Sequence, residues 1–303
     1  MKIEMNRYFL IIVICIGTGF AFSQNYIDLL KVSGNTTPYN TFDTSSAKTK
    51  VNEGMVDLTI PIKLNEKTSI ITGVIYETIQ TKLFEDGDIK SFGSTTLKLG
   101  LNNKFNEKLS ATLVVLPKIS SDYKSIGNKD FQIGVIGILK IKRRDNLNYK
   151  IGLYYNSELF GPFFVPMLGF YYLSPNKKFE ANVMLPLQGD FSYKIHSFIS
   201  LGCNYNGLIR SYHLIDNNGS YVSKFSNELY AYLKFDITKK MSFQTKIGQS
   251  IGRKYNVFAE NDKVDFGLPL ALIGGHRKQL NTNFSDGLIF QFVFFYRFSL
   301  EKK

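Results

Sequence analysis

The chain has 303 residues, carries a formal net charge of +12 and is 44% hydrophobic, with 26 Phe, 18 Tyr and no Trp. That is too apolar for a disordered chain and too evenly polar for a bundle of membrane helices. The basic balance would suit nucleic acid in a cytosolic protein, but the first residues argue against that compartment.

Lys2 and Arg7 precede an apolar run from Tyr8 to Phe22, and Ala21-Phe22-Ser23 forms a small-residue cleavage site before Gln24. This is the layout of a cleaved secretory signal peptide over residues 1–23, with the mature domain at 24–303. The glycines at 17 and 19 cut the run short of a membrane anchor. Cleavage leaves one cysteine, Cys203, so no disulfide forms within the chain. An exported chain of this size without disulfides needs a large core or another environment for its apolar faces. In that setting the basic charge points to lipopolysaccharide phosphates or a small anionic solute, and not to nucleic acid.

After the signal no segment approaches 18 consecutive apolar residues, and a two-residue alternation recurs instead, the signature of β-strands. Strands are expected over residues 26–34, 53–64, 68–80, 92–104, 109–118, 131–142, 148–159, 163–174, 179–187, 189–195, 197–211, 223–237, 241–254 and 286–298. Residues 35–50 read as a polar loop. The count is about fourteen, or twelve if Pro186 and Gly189 mark a bulge instead of a turn. Short polar turns, such as Asn65-Glu66-Lys67 and Asn106-Glu107-Lys108, alternate with longer links at 82–91, 119–130, 212–221 and 256–283. An up-and-down outer-membrane barrel sorts its connections in this way. The fold expected is therefore all-β: one antiparallel transmembrane β-barrel.

The last strand shows the two faces most clearly. Leu288, Phe290, Phe292, Phe294, Tyr296 and Phe298 form one row, read as lipid-facing, and Gln291 and Arg297 fall on the other, with the lumen. The same parity puts Lys98, Lys140, Lys150, Lys246, Glu158, Glu228 and Asp236 in the lumen beside Arg297. Such charges either set ion selectivity, here leaning to anions, or pair across the lumen and plug it. Gly100, Gly134, Gly152, Gly202 and Gly248 share that face, where they make room for a solute or relieve crowding.

The exported start, the run YYNSELFGPFFVPMLGFYY, the segment LPLQGDFSYKI and the ending DGLIFQFVFFYRF resemble an uncharacterised outer-membrane β-barrel family common in Bacteroidota. The family carries a domain-of-unknown-function label, so the resemblance implies fold and outer-membrane location more than activity. A porin-like channel or a structural barrel is the function expected. A lipid hydrolase or deacylase built on Ser211 and His213, or a surface binder using the long loops, is the alternative. The three histidines have no metal-ligand spacing, and no cofactor is expected.

Overall fold

The computed structural model describes residues 26–215, 219–269 and 271–299. The signal-peptide reading of residues 1–23 lies outside them. The alternating segments form β1 (Tyr26–Thr41), β2 (Lys48–Lys63), β3 (Thr68–Lys82), β4 (Ile89–Lys104), β5 (Leu109–Ser121), β6 (Phe131–Arg144), β7 (Leu147–Glu158) and β8 (Gly161–Leu173). They continue as β9 (Phe179–Leu185), β10 (Gln188–His196), β11 (Ile199–Leu214), β12 (Ser220–Asp236) and β13 (Met241–Ala259). The last three are β14 (Phe266–Leu268), β15 (Ala271–Ile273) and β16 (Leu288–Ser299). The one helical element among the described residues is a 3-10 turn, Asn128–Asp130.

Each strand from β1 to β13 pairs antiparallel with its chain neighbour, β13 pairs with β16, and β16 returns to β1. The sheet thereby closes as a fourteen-strand up-and-down barrel, which leaves no exposed edge. β14 and β15 form a small hairpin outside the ring, touching β8 where Gly267 lies beside Phe163. The segment 179–195 is two strands, with Leu187 N–H donating to Met184 O (3.0 Å) in the turn between them.

The connections sort by end. At the turn end they span 64–67, 105–108, 145–146, 174–178, 197–198 and 237–240. Asn side chains close several of these turns: Asn65 Oδ1 accepts from the N–H groups of Lys67 and Thr68, and Asn106 Oδ1 from those of Lys108 and Leu109. The loop end carries 42–47, 83–88, 122–130, 215–219 and the long link 260–287, together with two two-residue turns, 159–160 and 186–187.

One expectation fails here. Most of residues 35–50 is strand, not loop, because β1 runs to Thr41 and β2 begins at Lys48. Its polar residues satisfy one another across the ladder: Asn35 Nδ2 donates to Glu53 Oε2 (3.2 Å) and Thr36 Oγ1 to Asn52 Oδ1 (2.8 Å). Cross-strand side-chain pairs hold such a segment in a sheet without an apolar row.

The barrel is not uniformly tall. β9 and β10 have 7 and 9 residues, whereas β11, β12 and β13 have 16, 17 and 19. β10 stops pairing with β11 at Asn206, so the rest of β11 has no wall strand on that side. It leans across the mouth instead and meets β5, with His213 beside Ser121 and Asp122 N–H donating to His213 O (3.0 Å). The ends of β11, β12 and β13 thus form a three-stranded flap buried on both faces. One face carries Tyr212, Val222, Tyr255 and Val257 onto Val51, Ile79 and Phe92. The other carries Ile209, Tyr221 and Phe258 onto Phe163, Val165 and Met167 of β8.

Candidate functional site

The lumen falls into a packed half and a hollow half. In the packed half, at the loop end, Ser211 of the flap is fully buried and every polar group it has is used. Its N–H and hydroxyl both donate to Glu158 Oε2 (2.7 and 2.5 Å), and its Oγ accepts from Leu159 N–H (2.7 Å). Its carbonyl accepts from Ser120 Oγ (2.7 Å) and Gln132 Nε2 (3.0 Å). Glu158 also takes Lys118 at 3.6 Å and the Asn156 amide. On the flap's other face Glu53 Oε1 accepts from Lys224 Nζ and Tyr255 OH, both at 2.5 Å, and Arg210 pairs with Glu77. His213 Nδ1 lies 2.7 Å from Asp130 in the 3-10 turn. These groups bridge β11 and β12 to the opposite wall.

Midway along the lumen the charged groups pair with near neighbours. Lys98 bonds Asp57 and donates to Thr59 Oγ1 (2.6 Å), and Lys150 donates to Asn182 (2.6 Å). Lys140 lies directly across the ladder from Lys150. Glu228 accepts from Ser226 (2.9 Å) and Tyr230 (2.8 Å). Lys246 donates to Asn204 (3.1 Å) and stands 5.5 Å from the ring centres of both Tyr230 and Tyr232. Those two rings lie flat over glycines opposite them: a Cβ on Gly202 would come within 2.3 Å of the Tyr232 ring, and one on Gly248 within 2.3 Å of Tyr230. Glycine is needed there for close approach, and the tyrosines, not a solute, take the space.

The hollow half, at the turn end, holds a basin of about 480 Å³. Arg297 stands on its wall, donating through Nε to Asp28 Oδ1 (2.5 Å) and stacking on Tyr26, whose hydroxyl donates across the lumen to Glu180 (3.4 Å). Asp236 accepts from Ser242 (2.8 Å). Lys177, Lys178, Lys194, Lys234 and Lys239 complete its basic lining.

All eight lumen-charge candidates project to the inside, but in different halves. Glu158 belongs to the packed half, Lys98, Lys150, Lys246 and Glu228 to the middle, Lys140 to the turn end beside the 105–108 turn, and Asp236 and Arg297 to the basin. Leu288, Phe290 and Phe292 are exposed on the outside, with Phe294, Tyr296 and Phe298 half-buried on the same side. Ser211 and His213 do share one face of β11, yet each is hydrogen-bonded elsewhere, Ser211 to Glu158 and His213 to Asp130. Among the described residues no cluster of three His, Cys, Asp or Glu side chains could hold a metal.

Parity alone did not single out Glu53, Glu77, Lys118, Arg210 and Lys224. Their signal was the loss of alternation after Asn206, where residues 207–214 mix apolar and polar groups on both parities, as a strand buried on both faces does. Outside the strands three carboxylates are tuned, and in the 145–146 turn the hydrogen bond and charge of Lys142 lower Asp145. The hydrogen bond and charge of Lys129 hold Glu260 below the usual carboxylate range. Partial burial works to raise Asp286, but hydrogen bonds from the backbone N–H groups of Arg253 and Gly252 reverse that and leave it lowered.

Comparison with known proteins gives a family and a set of barrels. The family model described as Domain of unknown function (DUF6268) matches residues 20–266. No curated protein matches the sequence. Among solved structures, the COG4313 outer membrane channel from Pseudomonas putida F1 is similar at 9% identity and a TM-score of 0.46, covering 89% of this chain and 94% of that one. The NanC porin is similar at 9% identity and 0.38, covering 89% and 100%. The translocator domain of the autotransporter NalP from Neisseria meningitidis is similar at 9% and 0.38, covering 90% and 89%.

Proposed function

The chain belongs to the DUF6268 family, and from that premise, which names no activity, we propose that it is a passive channel of the bacterial outer membrane for small polar solutes, closed at rest by its flap. The observation that carries this reading is the divided lumen: a hollow, polar basin at the turn end lies below a middle layer of paired side chains and a flap that no wall strand holds on its β10 side. A plug made only to strengthen the barrel has no need of a basin beneath it. The flap meets β2, β3 and β5 through side-chain ion pairs and hydrogen bonds, contacts that break and re-form as discrete units. It turns about the point near Asn206 where pairing with β10 ends, and releasing Glu53 and Glu77 from Lys224 and Arg210 opens the path.

Membrane location is supported by the outer face, where Leu99, Leu113, Ile151, Leu229, Ile247 and Phe292 are exposed around the ring. A ring of outward apolar side chains with a polar interior is what lipid on one side and water on the other select. In this reading outer-membrane lipid covers that face and the loops lie near lipopolysaccharide. In this reading residues 1–23 direct export and are removed in its course, which N-terminal sequencing of the mature protein tests: it should begin at Gln24.

Planar bilayers test the channel itself. The wild type should show rare, small openings, and a Glu53→Gln/Glu77→Gln variant several-fold longer open times. A protein silent in both forms would be a structural barrel, and recovery in the soluble periplasmic fraction would remove the membrane reading altogether.

A further inference from the structure

We propose that the turn-end basin is a binding site for small oxyanions, carboxylate- or phosphate-bearing solutes, centred on Lys234. Six Lys and Arg side chains are buried in the barrel: Lys118, Lys224, Lys234, Lys246, Arg253 and Arg297. Five have a direct partner. Lys118 has Glu158, Lys224 has Glu53, Lys246 has Asn204, Arg297 has Asp28, and Arg253 reaches Thr37 Oγ1 (2.9 Å) and Asn40. Lys234 alone of the six, at 8% exposure, holds no hydrogen bond or ion pair through its ammonium among the described residues. Its ammonium opens on the basin instead of on a protein group, so a solute anion that replaces water there gains a charge-assisted hydrogen bond.

The carboxylates near it make no direct bond to its ammonium and take neutral hydroxyl donors instead, keeping their charge. Glu180 accepts from Tyr26 OH, Asp190 accepts from Tyr232 OH (2.9 Å), and Asp236 accepts from Ser242. The other cations of the basin add to the same field. Lys178 and Lys194 are held side by side by the bond from Lys194 N–H to Lys178 O (2.7 Å), and Lys239 lines the rim. With Arg297 paired to Asp28, the positive charge of the lining comes from these lysines and Lys177, against Glu180 and Asp236. The buried hydroxyls of Ser192, Ser200 and Ser242 supply neutral partners around the ammonium.

The shape limits the ligand. A cavity of about 480 Å³ takes an organic di- or tricarboxylate or a sugar acid, and it lies within the usual size of small-molecule sites. Lys234 then acts as the fixed contact, and the exposed rim lysines draw the anion in from the turn-end solution. The inference rests on the channel reading for its biological meaning, as the place where a solute in transit dwells. Its chemistry is tested without any current.

Full-length protein in detergent is titrated calorimetrically with inorganic phosphate and, separately, with citrate, at constant ionic strength. Saturable binding of either is expected, weakened about tenfold or more in Lys234→Gln, kept in Lys234→Arg, and unchanged in Lys108→Gln on an exposed turn. A second measurement needs no ligand. In anion-poor buffer Lys234→Gln should unfold at or above the wild-type temperature, because it removes an unpaired buried charge, whereas Lys224→Gln should unfold below it. No saturable binding of either probe, equal affinity in wild type and Lys234→Gln, or clear destabilisation by Lys234→Gln overturns the site. Channels that conduct while binding ignores Lys234 leave the channel reading and remove this inference. Binding that needs Lys234 in an electrically silent barrel supports this inference and removes the channel.

Discussion

Glu158 and Lys234 are both buried charges on the inner face of one barrel, and the two ends of the lumen treat them differently. At the loop end Glu158 is surrounded by Lys118, Asn156 and two hydrogen bonds from Ser211 of the flap. At the turn end Lys234 faces open volume, and its neighbouring carboxylates are occupied elsewhere. The wall strands are chemically alike at both levels. What differs is whether another segment reaches across: the tall strands β11–β13 cross only at the loop end, and the same polar interior becomes a plug there and a basin below.

Substitutions break this contrast in a definite order. The largest effect belongs to Glu158→Ala, which strands Lys118 and unties Ser211; leaving an unpaired buried charge costs about 3–5 kcal/mol. It should lower sharply the temperature at which the compact, heat-modifiable band disappears from gels run in mild detergent. Next comes Leu99→Arg, on an outward position at 52% exposure near the middle of β4. An arginine facing lipid there costs about 2–4 kcal/mol, read by denaturant unfolding in vesicles, and an unchanged midpoint would mean that this wall does not face lipid. Tyr255→Phe is milder, removing one donor from Glu53 for about 1 kcal/mol. Its clearer readout is a modest rise in bilayer openings.

The smallest effect sits outside the barrel. Glu260 and Lys129 (2.7 Å) tie the long link to the 122–130 loop, and Lys129 holds the Glu260 carboxyl below its ordinary range. A carboxyl lowered in the folded state stabilises it above its unfolded value, and that contribution is lost as the pH falls through the lowered one. Proteolytic nicking of the 260–287 link should therefore increase on acidification below the usual carboxylate range. Glu260→Gln should show the higher nicking rate throughout and lose the pH dependence.

The two halves also differ in how far they could be read in advance. From the middle of the barrel to the turn end the alternation of Lys98, Lys246 and Arg297 with apolar neighbours assigned inside and outside residue by residue, because a strand's parity is local. The Asn-x-Lys turns were equally plain, since an Asn side chain closing its own turn needs no distant partner. At the loop end the same reasoning stopped short: residues 35–50 looked like a loop because their partners, such as Glu53 and Asn52, act across the ladder. Ser211 and His213 looked like a pair because they share a face, yet their bonds go to β7 and to the 3-10 turn.

By itself the sequence pointed to about fourteen strands, with twelve left open at Pro186 and Gly189, to their two faces, to the contrast of short turns with long links and to the apolar outer row ending at Phe298. Each of these depends on the period of two and on turn chemistry, properties of neighbouring residues. Only the tertiary structure decided that β9 and β10 are too short to hold β11, that the flap crosses to β5, and that Lys234 is left without a partner. Those facts depend on strand heights compared around a closed ring and on contacts between residues far apart in the chain, where local periodicity carries no information.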